Sequence, residues 1–132
     1  MERSIKSLVL IRAKHLAESV TTPMFITDAT GCLIFYNEAA EGLLGGPFSD
    51  VGQMTAEEWR ERFNVRDRHD TPFPVQEMPG WMELQNERPT QGHLKFTILD
   101  GSEKFFAVTG FPLFTSQRTF DGALVTFWED EL

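Results

Sequence analysis

Pro23-Met24-Phe25-Ile26-Thr27-Asp28-Ala29-Thr30-Gly31-Cys32-Leu33-Ile34-Phe35-Tyr36-Asn37 holds two short runs of strand formers on either side of a turn signal. Asp28 and Gly31 occupy the first and last places of a β-turn, the positions those residue types favour. Met24 to Asp28 and Cys32 to Tyr36 therefore read as the two strands of an antiparallel hairpin. Asn37 offers its side-chain oxygen as the N-cap of a short helix, Glu38 to Leu44, with Glu38 and Glu41 near the positive end of its dipole. Gly45-Gly46-Pro47 stops that helix.

On the N-terminal side, Ile5, Leu8, Val9, Ala13, Leu16, Ala17 and Val20 recur in steps of three and four. That spacing predicts an amphipathic helix with one apolar stripe, ended ahead of Pro23. Arg3, Lys6, Arg12 and Lys14 make this segment mildly basic, while the chain as a whole carries a formal charge of -8. The stripe has two readings: it packs on the sheet of its own chain, or Ile5, Leu8, Val9 and Leu16 meet a second copy.

On the C-terminal side, residues 48–90 are irregular, with short helices predicted over Ala56 to Phe63 and Trp81 to Asn86 and a proline-rich loop between them. The last third is β-rich. His93 to Leu99 alternates, Asp100-Gly101 marks a hairpin turn, and Lys104 to Leu113 and Phe120 to Glu129 are long strands. Both faces of the final strand are apolar, so it needs cover on both sides. Hairpins at each end with helices between them predict an α+β domain with an antiparallel sheet.

In this order the motifs resemble the PAS family. Pro23 to Asp28, the Gly31 turn and Leu33 to Ala40 are similar to its opening hairpin and first core helix. Asp70-Thr71-Pro72-Phe73-Pro74, Glu77-Met78-Pro79 and Glu87-Arg88-Pro89 resemble the region leading to its connecting helix. Asp100-Gly101, Gly110-Phe111-Pro112 and Gly122 to Phe127 resemble its closing three strands. The resemblance implies a five-stranded antiparallel sheet with short helices on one face and the N-terminal helix on or near the other. It divides the chain into an N-terminal helix, 1–20, and a core domain, 21–130. It further implies a sensory or signal-relay module of a larger protein, associated with histidine kinases or other effectors in the same parent chain, and a homodimer.

Strand alternation and the resemblance together place Phe25, Thr27, Leu33, Phe35, Leu94, Phe96, Leu124, Thr126 and Trp128 toward the space between sheet and helices, with Trp59, Phe63, Trp81 and Met82 closing it. That space is either a pocket for a small apolar ligand or a packed core. Twelve Phe and three Trp are enough to fill it, whereas Thr27 and Thr126 would need polar partners if buried.

Composition and motifs narrow the chemistry. An acidic chain lacks the basic face of a nucleic-acid binder, and no membrane contact is expected from this segment. The single cysteine, Cys32, permits no internal disulfide and fits a cytoplasmic location. No cofactor is expected. Haem would require a histidine on the lining, and His15, His69 and His93 are not placed there. The cysteine motif of flavin-adduct photosensors is missing, which leaves only a noncovalent flavin. No metal-ligand spacing occurs. The alternative reading, a small cone-shaped enzyme of ketosteroid-isomerase type, would need an acid or base on the lining. The expected lining holds no Asp, Glu or His, so no catalytic residue and no enzymatic activity are expected.

Overall fold

The computed structural model describes residues 7–131. Helix α1, Leu8–Glu18, is capped by Ser7, whose hydroxyl accepts the N–H of Leu10 at 3.3 Å and donates to the Asp121 carboxylate. Strands β1, Met24–Asp28, and β2, Leu33–Tyr36, form the opening hairpin. The Asp28 carboxylate shapes their turn by accepting from the N–H and hydroxyl of Thr30 and the N–H of Cys32. Then follow α2, Glu38–Leu44; α3, Phe48–Val51; α4, Ala56–Arg62; a 3₁₀ turn, Val75–Glu77; and α5, Trp81–Asn86. Strands β3, Thr90–Thr97, β4, Glu103–Phe114, and β5, Phe120–Glu129, close the chain.

The five strands make one antiparallel sheet in the order β2-β1-β5-β4-β3. Central β5 is covered on both sides, as its two apolar faces require. The inner face carries Phe25, Leu33, Tyr36, Leu94, Phe96, Phe106, Val125 and Phe127 against Leu44, Trp59 and Phe63 of the helical layer. On the outer face Met24, Ile26, Cys32, Ile34 and Leu124 pack on Leu10, Ala13 and Ala17 of α1.

Two element boundaries and the buried face of α1 differ from those expected. β3 begins at Thr90 and not His93: Thr90, Gln91 and Gly92 pair with Gly110, Thr109 and Val108 of β4 although they lack the apolar alternation that marks a half-buried strand. The segment 48–51, read as irregular, is a single helical turn. Along α1 the buried stripe is Leu10, Ala13 and Ala17, while Leu8 and Leu16 are 59% and 50% exposed and Val9 is half-buried. Ile5 lies outside the described residues.

Candidate functional site

The asparagine that opens α2 has more to do than cap it. Asn37 is buried; its Oδ1 accepts from the N–H of Ala40 and of Met24, each at 3.0 Å, and its Nδ2 donates to the carbonyls of Ala17 and Thr22. One side chain thus joins the end of α1, the entry to β1 and the start of α2, with all of its polar groups satisfied.

Inside the sheet, aromatic rings close on one another. Phe25 meets Trp59 and Phe127, Trp59 meets Phe96, Phe96 meets Phe63 and Phe106, and Phe106 meets Phe127, with centroids 5.3–6.3 Å apart. Mostly tilted or edge-to-face pairs of this kind each contribute roughly 0.5–1.5 kcal/mol beyond burial. The cavity left beside Phe25, Leu33, Tyr36, Leu44, Trp59, Phe63 and Phe96 is about 10 Å³, room for at most a single water.

Of the residues expected on this lining, Phe25, Leu33, Trp59, Phe63, Leu94 and Phe96 come together there. Thr27 shares their face, since its cross-strand partners Leu33 and Ala123 do. Phe35, Leu124, Thr126 and Trp128 do not. In the hairpin Ile26 pairs with Phe35 but Thr27 pairs with Leu33, so Ile34 is an extra residue in β2. A bulge of this kind resets the alternation, and both Ile34 and Phe35 pack on the α1 side. In β5 the pairing of Phe25 with Val125 sends Ala123, Val125 and Phe127 inward. Leu124, Thr126 and Trp128 therefore face outward, and Trp128 is 49% exposed.

Trp81 and Met82 sit at the margins of the inner layer. The Trp81 indole lies against Gly31 of the hairpin, where a Cβ would come within 2.6 Å of its Nε1. Met82 instead lines a separate cleft of about 180 Å³ between α5 and β3, together with Phe73, Pro79, Leu94 and Val108. Thr27 Oγ1 and Trp81 Nε1 are buried with no hydrogen-bond partner.

Sequence reasoning missed Glu83. This α5 carboxylate is fully buried, and it accepts from the Gly80 N–H and the Thr90 hydroxyl, each at 2.8 Å. Among the described residues it forms no ion pair. It sits directly on Gly110 of β4, where a Cβ would lie 1.6 Å from its Oε1. A glutamate three residues after a helix-opening glycine and an isolated glycine within a strand were the available signals.

The three histidines are remote from the interior. His15 is on α1 and His69 in a loop, while His93 stacks on Phe105 and reaches Asp130 at 3.3 Å. Among the described residues no group of three His, Cys, Asp or Glu is placed to hold a metal ion, and no helix is long and apolar enough to cross a membrane. Burial, and secondarily the charges of Glu41 and Asp50, push the Tyr36 phenol up to about 12. Its hydroxyl donates to the Gly46 carbonyl at 2.9 Å.

A single antiparallel sheet in the order β2-β1-β5-β4-β3, with the helices between β2 and β3 gathered on its inner face, is the architecture of a PAS domain. Solved PAS domains match it over nearly the whole chain. The PAS domain of nitrogen regulation protein NR(II) from Vibrio parahaemolyticus aligns at a TM-score of 0.63 and 16% identity, covering 95% of this chain and 100% of that one. That of the HTR-like protein from Haloarcula marismortui aligns at 0.63 and 18%, covering 92% and 91%. That of the fruit-fly ELK potassium channel aligns at 0.65 and 10%, covering 94% and 98%. At these identities the likeness is one of fold. No protein-family model matches the sequence, and no curated protein matches it.

Proposed function

We propose that the chain is a sensory or signal-relay module of a larger signalling protein, and that it works as a homodimer closed through α1 and the outer face of the sheet. The observation that carries this reading is the apolar surface on that face. Trp128 and Phe111 are 49% and 39% exposed, and Leu8 and Leu16 of α1 are more so. Phe111 stands opposite Leu124, which packs on α1, so the surface runs from helix to sheet. Large apolar side chains left exposed on one face mark interaction sites, and Trp is the residue type most often found at their energetic centre. One fold neighbour is a PAS domain from a two-component sensor histidine kinase, which supports placing an effector in the same parent chain. Central β5 touches both layers and is the element through which a change on the outer face would reach the inner one.

Sedimentation over a concentration series tests the dimer. Trp128→Glu or Leu16→Asp is expected to weaken it about thirtyfold or more, the effect of losing a hot spot of roughly 2 kcal/mol. A wild type that stays monomeric throughout would overturn this reading.

A second reading, a small apolar ligand inside the domain, is favoured by Thr27 Oγ1 and Trp81 Nε1, two buried polar atoms that a bound molecule could engage. Entry would require the aromatic ring system to open. Native mass spectrometry of protein purified from cells should then reveal a bound mass that Gly80→Ala, which crowds Thr27, removes.

A further inference from the structure

β3 is an edge strand of the sheet, and its first half lies beside the α5 cleft. Residues of an edge strand turn their N–H and C=O groups alternately toward the neighbouring strand and outward. Here the phase is set by Lys95, whose N–H donates outward to the Arg66 carbonyl at 2.7 Å and whose carbonyl accepts from the Arg66 N–H at 2.9 Å. The N–H of Ile98 donates to Ser102 within the β3–β4 hairpin, which gives the same phase. Gln91 and His93 therefore point their backbone groups outward. Residues 63–66 cover the edge at Lys95 and Thr97, but among the described residues no backbone partner reaches Gln91 or His93.

Beside this open stretch Gly92 faces the inner side between Thr90 and Leu94, and a Cβ built on it meets nothing within 4 Å. The adjoining cleft of about 180 Å³ is walled by Phe73, Pro79, Met82 and Val108, with Glu77 at its rim. It is smaller than the roughly 300–1,000 Å³ of an ordinary small-molecule pocket and suits one side chain. Two donors and two acceptors facing outward in strand geometry, next to a one-side-chain cleft, are the elements of recognition by strand addition.

We infer that β3 docks an extended segment of a partner protein, which pairs with Gln91 and His93 and inserts one Val, Leu or Met side chain over Gly92. Cross-strand neighbours share a face, so the partner residue opposite Gly92 points into the cleft. Glu77 and the net charge of -8 favour a Lys or Arg beside that residue. The isolated bridge between Arg66 and Lys95 shows that this edge accepts backbone pairing from outside the sheet, and the docked segment continues it.

The test uses a random peptide library displayed on phage and selected on the full chain. Gly92→Val fills the cleft at an open, extended position. Gln91→Pro removes one outward N–H at a place where an edge strand admits proline. Selected peptides are expected to share a single apolar residue with a basic neighbour and to shift the Gln91 and His93 amide signals saturably. They should lose affinity at least about tenfold on each variant, the 1.4 kcal/mol or so of one lost interaction. Thermal melts near that of the wild type show that both variants fold. Three results would overturn the inference: no enrichment over Gly92→Val, peptide shifts centred on Phe111 and Trp128, or a wild-type dimer that Gly92→Val dissolves, which would assign the edge to a second copy.

Discussion

Glu83 of α5 and Gly110 of β4 form a single contact between helix and sheet. The carboxylate occupies the space a side chain on Gly110 would need, so Gly110→Ala is expected to cost about 3 kcal/mol, the upper end of ordinary overpacking. In a Glu83→Ala background the same change should cost under about 1 kcal/mol, because the obstructing group is gone. Denaturant unfolding of the four proteins measures this coupling; additive effects would show that the two residues do not meet. Tyr36 makes a prediction in pH. Its phenol is raised to about 12, so the folded state holds the proton more tightly than the unfolded chain, whose phenol titrates near 10. Stability is then fully present below pH 10 and declines as pH rises from 10 to 12. Tyr36→Phe should flatten that alkaline limb, at a constant cost of about 1 kcal/mol for the hydrogen bond to Gly46. At residue scale the sequence was least legible where chemistry depends on partners distant along the chain. Glu83 lies within the helix predicted over Trp81 to Asn86, and only Gly110 in β4 and Thr90 in β3 explain why it is buried.

At the scale of elements, the hairpin and its helix were plain to read because each rests on local chemistry: the Asp28 turn, the Asn37 cap and the Gly45 stop. Asn37→Ala is nonetheless expected to cost about 3 kcal/mol, more than the ~1 kcal/mol of a lost cap, since it also strips partners from the Met24 N–H and the Ala17 and Thr22 carbonyls. Thermal or denaturant unfolding checks this; a loss near 1 kcal/mol would reduce Asn37 to a cap alone. Facing was harder than existence. Strand alternation from Leu33 and the family resemblance both place Phe35 inward, and the bulge at Ile34 breaks the count in twos. Leu124, Thr126 and Trp128 face outward for a different reason. Both faces of β5 are apolar, so composition does not choose between them; the register with β1 does, and it pairs residues about a hundred positions apart. The start of β3 escaped notice because an edge strand can begin with polar residues that face solvent.

For the whole molecule, a sheet with the short helices on one face and the N-terminal helix on the other was legible from element order, and solved PAS domains share that fold. The aromatic ring system leaves only about 10 Å³ among its own side chains, while the outer face keeps Trp128 and Phe111 exposed. The balance of apolar surface thus favours relay through an interface over sensing through an interior chamber. The most direct test of that central claim is cross-linking at the middle of the outer face. Thr126→Cys, treated with a short bis-maleimide, should give a covalent dimer in high yield, whereas Gln76→Cys on the helical side and the wild type, whose only thiol is the buried Cys32, should give little. Equal cross-linking at Gln76 and Thr126, or none at Thr126, would contradict a dimer closed through this face.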